Sequence, residues 1–105
     1  MSSGYLYIIT NKSWPGWIKI GTTRNLKTRL QTYQTSSPFR NYEVIYSIKH
    51  PEYLQAERNI KLQMERFAKR IKNEWYEVDL EVAKVRLTEQ LDIIFMESVI
   101  LPSHM

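Results

Sequence analysis

The sequence predicts an α/β fold in the broad sense, or α+β, with a small, mainly antiparallel three-stranded sheet flanked by helices. The apolar patterns follow one another in the order β-β-α-β-α-(β)-α, with period-two segments giving way to segments of helical spacing. Only a loop separates the first two strands, which implies an antiparallel pair. The composition, 43% hydrophobic and 12% aromatic residues, is typical of a packed core and argues against a disordered chain.

The first elements are a hairpin and a helix. Residues 4–10, "GYLYIIT", are rich in tyrosine and isoleucine and predict a strand. Turn residues in 11–16, "NKSWPG", separate it from a second strand over 17–21, "WIKIG". Asn25 can cap a helix that runs to about residue 34. Its apolar stripe is Leu26, Leu30 and Tyr33.

The second half of the chain alternates strands and helices. Residues 42–48 predict a third strand, and Pro51 suits the first turn of a second helix that reaches about Arg70. Residues 73–78 form a short strand or extended segment, and Asp79 can cap a last helix over 80–97. The predicted apolar stripes are Tyr53, Ala56, Ile60, Met64, Phe67 and Ile71 on the second helix, and Val82, Val85, Leu91 and Ile94 on the third.

The totals restrict the class of protein. A length of 105 residues predicts one domain, 1–97, followed by a C-terminal tail, 98–105. With no cysteine and only two histidines, His50 and His104, without ligand spacing, a disulfide framework or a zinc site is not expected. No segment resembles a signal peptide or a membrane span, so we expect a cytoplasmic location and no membrane partner. The net charge of +4 is compatible with a polyanionic partner such as nucleic acid.

A lysine interrupts the second strand. If Ile9 pairs with Trp17 across the hairpin, Tyr7 lies opposite Lys19, with their Cβ atoms roughly 5 Å apart. The ammonium would then favour the phenolate and lower the pKa of Tyr7 from its usual value of about 10. The alternative is a tyrosine ring on a half-buried sheet, with Lys19 extending to solvent.

Two charged residues border the predicted helical stripes. Arg29 lies about 65° from the centre of the first stripe, which fits a guanidinium held by packing and aimed at a phosphate, or an arginine along the core boundary. Glu57 lies about 60° from the centre of the second stripe. A carboxylate at a core margin must be paired, protonated or metal-bound. A salt bridge, for example to Arg29, and a magnesium site with a single protein carboxylate both remain open.

The chain resembles the GIY-YIG nuclease superfamily in the residues it carries in sequence order, namely Tyr7, Lys19-Ile20-Gly21, Arg29 and Glu57. Its first strand carries a tyrosine, its second strand ends in a glycine, and a helical arginine follows that glycine by eight residues, as Arg29 follows Gly21. A later helix carries a metal-binding glutamate, here Glu57. The chain is similar to a branch common in phages and bacteria, in which "KIG" replaces "YIG" and a Glu-aromatic-aromatic segment, here 74–76, follows the second helix. The resemblance covers about residues 4–80.

The resemblance implies a metal-dependent endonuclease that hydrolyses DNA phosphodiester bonds by a one-metal mechanism, with water as the nucleophile. Lys19 would tune Tyr7 as a base or hold the attacking water. Arg29 would neutralise charge on the scissile phosphate, and Glu57 would hold one Mg²⁺ or Mn²⁺. Gly21 is the motif's structural residue. The resemblance also suggests substrate contacts, for which the candidates are Arg24, Lys27, Tyr33 and Asn73. Tyr33 fits the apolar stripe equally well.

Two other functions remain open. One is a non-catalytic nucleic-acid-binding module of the same fold, disabled by the lysine in "KIG". Such a module has no need of Glu57, because a carboxylate repels phosphate unless a metal intervenes. The other is a protein-interaction domain whose apolar segment 93–101 docks on a partner or on a second copy. We therefore expect DNA as the partner, with the last helix and tail as a possible contact for an oligomer or partner protein. If the protein is phage-encoded, its location would be the host cytoplasm.

Overall fold

The computed structural model describes the backbone of residues 3–103 and the side chains of residues 3–92. Eight elements confirm a mixed α+β architecture. They are β1 (Gly4–Asn11), β2 (Trp17–Thr23), α1 (Leu26–Thr35), β3 (Tyr42–His50), α2 (Tyr53–Phe67), β4 (Arg70–Lys72), β5 (Trp75–Glu77) and α3 (Leu80–Ser103). None of these helices, within the described residues, combines the length and apolarity needed to cross a bilayer.

The sheet has five strands, in the order β3-β1-β2-β5-β4, and every neighbouring pair is antiparallel. The prediction of three strands is therefore wrong. Residues 70–77, expected to include the end of the second helix, form a short hairpin that extends the sheet beyond β2. Asn73 allows its tight turn because it adopts a left-handed backbone conformation, with φ of 57°. Ile71 misled the prediction, because it stands at helical spacing from Phe67.

Both predicted asparagine and aspartate caps are confirmed. The Asn25 side chain accepts a hydrogen bond from the backbone N–H of Thr28 at 3.0 Å, and Asp79 accepts one from Val82 at 3.1 Å. These bonds satisfy amide groups that have no partner inside the first helical turn. The last helix is longer than predicted, so residues 98–103 of the expected tail are helical. Residues 104–105 lie outside the described part of the chain.

One face of the sheet carries the hydrophobic core against α2 and α3. The buried cluster includes Leu6, Ile8, Ile18, Ile20 and Tyr76 from the sheet, Ala56, Ile60 and Met64 from α2, and Ala83, Leu87 and Leu91 from α3. The predicted stripe of the second helix is confirmed at its first four positions, whereas Phe67 and Ile71 are exposed.

The buried face of α3 differs from the prediction. Ala83 and Leu87 are buried in the core beside Leu91, whereas Val82 and Val85 are exposed. Residues four apart share one helix face, so the buried stripe is Ala83, Leu87 and Leu91. The prediction overlooked Ala83 because its side chain is small. The predicted stripe member 94 and the predicted docking segment 93–101 lie outside the residues whose side chains are described.

The opposite face of the sheet is polar and aromatic. Strand alternation places Tyr7, Lys19 and Gly21 there, away from the core. It is covered only in part, because α1 contributes no buried residue. The pairing of β5 with β2 ends at Lys19, so the next residues of β2 form an unpaired edge in the described sheet. This open face and edge position the candidate site.

Candidate active site

A hollow of about 260 Å³ lies at this open edge and brings together side chains from five parts of the chain. We call it the reaction hollow. It is lined by Tyr7, Lys19, Ile20, Gly21, Thr22, Arg29, Tyr33, Glu57, Lys61 and Glu74. All four residues predicted to be catalytic are among them, together with the motif glycine. Thr22, Lys61 and Glu74 were not predicted as site residues.

The hairpin register differs from the prediction by two residues. Tyr7 pairs with Gly21, and Lys19 pairs with Ile9, so the predicted pairing of Tyr7 with Lys19 is wrong. The reason is that β1 extends to Asn11, whose side chain accepts a hydrogen bond from the N–H of Ser13 at 2.8 Å and tightens the loop. A two-residue shift preserves the alternation of faces, so Tyr7 and Lys19 still line the same hollow.

Gly21 makes room for the phenol of Tyr7. A Cβ atom on Gly21 would lie 2.6 Å from Cζ of Tyr7, far inside van der Waals contact. Tyr7 is only 2% exposed, and its hydroxyl oxygen lies 3.3 Å from that of Tyr33, within hydrogen-bond distance. The glycine therefore lets a buried tyrosine cross β2 and present its hydroxyl to the hollow.

The phenol of Tyr7 is held in its neutral form. Burial raises its pKa, the hydrogen bond with Tyr33 raises it further, and the nearby guanidinium of Arg29 opposes these effects only in part. The expectation that Lys19 lowers this pKa is therefore not supported, because the shift is upward and the opposing cation is Arg29. At neutral pH the Tyr7 hydroxyl therefore keeps its proton.

Lys19 pairs with the turn between β4 and β5. Its Nζ lies 3.0 Å from Oε2 of Glu74 and 5.6 Å from the ring centre of Tyr33. Burial lowers the pKa of Lys19, but the hydrogen bond to Glu74 and the neighbouring Tyr33 outweigh it, so the net shift is upward. The same contact lowers the pKa of Glu74. Lys19 is thus a charged ammonium that pairs with this turn beside the hollow.

Arg29 reaches the hollow from α1 but is exposed. Of the two interpretations of Arg29, a guanidinium held by packing is not supported, because α1 buries no residue. An exposed arginine beside a buried hydroxyl can turn towards an incoming phosphate and form two parallel hydrogen bonds with it.

The predicted substrate-contact residues separate in space. Tyr33 lines the reaction hollow, whereas Asn73 lines a neighbouring one. Arg24 lies outside the reaction hollow, and its Nε donates to the hydroxyl of Tyr53 at 3.5 Å. Lys27 is exposed on α1 and also lies outside it.

Glu57 is a half-buried carboxylate with two partners. Its Oε1 accepts a hydrogen bond from the hydroxyl of Thr22 at 3.4 Å, and its Oε2 lies 3.2 Å from Nζ of Lys61. The prediction that Glu57 forms a salt bridge is thus confirmed, but its partner is Lys61 and not Arg29. The spacing of four between Glu57 and Lys61 on one helix was the sequence signal for this pair.

The carboxylate oxygens of Glu57 are donors of the kind that a magnesium-type ion prefers. Mg²⁺ prefers oxygen donors and keeps several waters, so one or two protein carboxylates suffice when phosphate supplies other ligands. Glu57, at the rim of the hollow, could provide such a carboxylate. Among the described side chains, no group of three or more His, Cys, Asp or Glu residues is arranged to hold a metal, so most ligands would be water and phosphate. For a metal ion to bind Oε2 of Glu57, Lys61 would have to give up its ion pair with that oxygen.

The comparisons with known proteins give one match. The family model of the T5orf172 domain matches residues 4–90. This domain is found in phage and bacterial nuclease-like proteins. No curated protein and no solved structure is significantly similar to the chain.

Proposed function

The chain belongs to the T5orf172 domain family, and from this premise we propose that it is a metal-dependent DNA endonuclease of the GIY-YIG type. The observation that carries the proposal is the convergence of Tyr7, Arg29 and Glu57 on the reaction hollow from β1, α1 and α2. A hydroxyl, a guanidinium and a carboxylate are the groups needed to position water, neutralise a phosphate and hold a divalent cation.

The hollow suits a phosphate of the DNA backbone. Lys19 and Lys61 line it together with Arg29, and each lysine already sits against a carboxylate. Arg29 is the cation most exposed to solvent at this rim, and a guanidinium matches phosphate geometry in a way that an ammonium does not. We assign the scissile phosphate to Arg29, with the lysines adding positive charge around it.

Hydrolysis requires a positioned water and stabilisation of negative charge. The neutral Tyr7 hydroxyl, hydrogen-bonded to Tyr33, would orient the water by hydrogen bonding. The water oxygen bonds to phosphorus as the bond from phosphorus to the leaving oxygen breaks. The hydroxide part of the water ends on phosphorus, and its remaining proton ends on the leaving oxygen. Arg29 would stabilise the charge that develops on the phosphate oxygens.

Glu57 is the residue that would hold the divalent cation. When bound, Mg²⁺ or Mn²⁺ polarises the phosphodiester and stabilises the leaving oxygen. Thr22 supports this role, because its hydroxyl donates to Oε1 and leaves Oε2 to the exchangeable contact with Lys61.

A non-catalytic DNA-binding module is the second candidate, and one observation favours it. Lys61 already neutralises Glu57 without a metal ion, so the carboxylate need not repel phosphate. In this alternative Glu57 is a structural ion pair. It requires DNA binding that weakens as salt rises, with no cleavage under any metal condition.

Cleavage of supercoiled plasmid and linear DNA with Mg²⁺, Mn²⁺ or EDTA separates the two candidates. The nuclease proposal expects metal-dependent nicking that Arg29→Ala slows by about 10²–10³-fold, the cost typical of losing one donor to a developing anion. Arg66→Ala is the matched control, since Arg66 is exposed on α2 and lies outside the reaction hollow. Salt-sensitive binding without nicking would replace the nuclease by the binding module.

A further inference from the structure

All three tryptophans of the chain line a second hollow. This tryptophan hollow, of about 400 Å³, is formed by Trp14, Trp17 and Trp75 together with Lys72 and Asn73. The tryptophans come from the loop after β1, from β2 and from β5. Trp14 is 47% exposed, and no step of the proposed hydrolysis uses any of them. An exposed cluster of large aromatic rings commonly marks a binding site.

A continuous row of aromatic rings joins the two hollows. Tyr33, which lines the reaction hollow, lies 5.1 Å from Tyr42 between ring centres. Tyr42 lies 6.3 Å from both Trp14 and Trp75, and these two tryptophans lie 5.4 Å apart. A strand whose phosphate occupies the reaction hollow would therefore meet aromatic rings within the next nucleotides.

The position of Trp14 is fixed by its loop. The backbone N–H of Trp14 donates to the backbone oxygen of Asn11 at 2.9 Å. Across the loop, Asn41 donates to the hydroxyl of Ser13 at 2.8 Å and accepts from Asn11 at 3.1 Å. Asn11 is itself buried. An exposed ring on a hydrogen-bonded loop is preorganised, which lowers the entropic cost of binding.

The charges around the tryptophan hollow favour a nucleic acid. Lys72 lines it and carries the positive charge of the lining. The guanidinium of Arg70 lies 5.6 Å from the ring centre of Trp17, but it is already paired with the carboxylate of Glu77 through two hydrogen bonds. No acidic side chain is among the residues that line it. Aromatic rings interleaved with cations are typical of sites for single-stranded nucleic acid, where the rings stack on bases and the cations follow the backbone.

The occupant must be an unpaired base. In a duplex, neighbouring base pairs cover the π-faces, so an aromatic ring stacks on a base only after that base has left the stack. We propose that the tryptophan hollow binds an unpaired base of the same strand whose phosphate lies in the reaction hollow. The substrate class would then be DNA with a single-stranded segment beside the cleavage site. This placement next to a scissile phosphate rests on the proposed nuclease function.

Intrinsic fluorescence tests this directly, because every tryptophan of the chain lies at this hollow. The protein is titrated in EDTA, which prevents metal-dependent cleavage, with a short single-stranded oligonucleotide, with its duplex, and with the same single strand carrying abasic sites. The single strand should quench the emission and bind more tightly than the other two. The abasic strand keeps every phosphate, so it separates base stacking from attraction to the backbone.

Two substitutions locate the contact. Trp14→Ala should weaken single-strand binding, followed by anisotropy of a labelled oligonucleotide, by roughly 5- to 150-fold, the loss expected for one stacked base. Trp14→Tyr should restore most of it. Phe39→Ala is the matched control, since Phe39 is an 82% exposed loop aromatic outside this hollow, and it should leave binding unchanged. Thermal unfolding of each variant verifies that the fold is intact.

The outcomes distinguish this inference from the nuclease proposal. Equal quenching by single strand and duplex, equal binding of the abasic strand, or unchanged binding by Trp14→Ala would overturn the inference, even if the protein cleaves plasmid. Quenching that is specific for unpaired bases, without cleavage in Mg²⁺ or Mn²⁺, would keep the base-binding site and overturn the hydrolytic function.

Discussion

Replacing Gly21 by alanine tests how the site is built. The added Cβ would fall 2.6 Å from Cζ of Tyr7, and the ring has little freedom to retreat because Tyr7 is buried against Tyr33. Overpacking of this kind costs about 1–3 kcal/mol of unfolding free energy. For a domain near 100 residues, each kcal/mol lowers Tm by about 4–8 °C. We therefore expect Gly21→Ala to fold, to melt roughly 5–20 °C lower, and to lose cleavage because the phenol is displaced.

A double-mutant cycle identifies the cause. Tyr7→Leu shortens the side chain, so adding Gly21→Ala in that background should cost at least about 1 kcal/mol less than in the native protein, measured by urea denaturation. Gly16→Ala is the control. Gly16 has φ of 85° and nothing within 4 Å of an added Cβ, so alanine there should cost about 1–2 kcal/mol through backbone strain alone. That cost should be independent of Tyr7. A cycle showing no coupling between Gly21 and Tyr7 would refute the steric argument.

Two further predictions concern the ion pairs around the site. Lys61→Met should tighten Mn²⁺ binding, measured by electron paramagnetic resonance, by about twofold, because an i,i+4 pair of this kind is worth about 0.3–0.5 kcal/mol. Lys84→Met, on α3, is the control. Weaker binding by Lys61→Met would contradict the idea that Lys61 and the metal ion compete for Glu57. Hydrogen bonds from Arg70 and Lys19 lower the pKa values of Glu77 and Glu74 respectively. Their stabilisation of the β4–β5 hairpin is therefore complete above the usual carboxyl pKa and is lost as the pH falls through the lower folded-state values. Tryptophan emission should change over that acidic range in the native protein and less in Glu77→Gln, and identical profiles would contradict this assignment.

The sequence predicted most of the fold because its signals are local. The caps Asn25 and Asp79, and the alternation that places Tyr7 and Lys19 on one face, depend on near neighbours in the chain. The prediction of a short strand or extended segment over 73–78 includes β5, whereas β4 was missed because Ile71 continues the helical spacing of α2. The left-handed conformation of Asn73, which joins the two strands, is visible only in three dimensions.

The sequence identified residues that lie close together in the structure, but it did not predict their contacts. The four predicted catalytic residues do line one hollow, because their elements have a fixed order along the chain. Their partners depend on distances that spacing does not encode. Glu74 reaches Lys19 only because the hairpin it belongs to extends the sheet on the β2 side. Tyr7 meets Gly21 because β1 continues to Asn11, which makes the connecting loop two residues shorter than the expected register implied.

The aromatic row was not predicted from the sequence. Trp14 and Trp17 are neighbours across the turn before β2, whereas Trp75 lies 58 residues further along the chain, in β5. They meet because β5 pairs with β2 while the loop after β1 folds over the same face. Tertiary pairing of this kind follows from the arrangement of strands in the sheet, and the predicted three-stranded sheet did not include the pairing of β5 with β2.

Plasmid nicking by Glu57→Gln tests the central claim most directly. The substitution keeps the shape of the side chain and removes the charge that would hold the cation, and Glu65→Gln, on an exposed position of the same helix outside the reaction hollow, is the matched control. We expect native protein and Glu65→Gln to nick supercoiled DNA in Mg²⁺ or Mn²⁺, and Glu57→Gln to remain at the level of the EDTA control. Nicking by Glu57→Gln at the native rate would contradict a metal-dependent site built on this carboxylate.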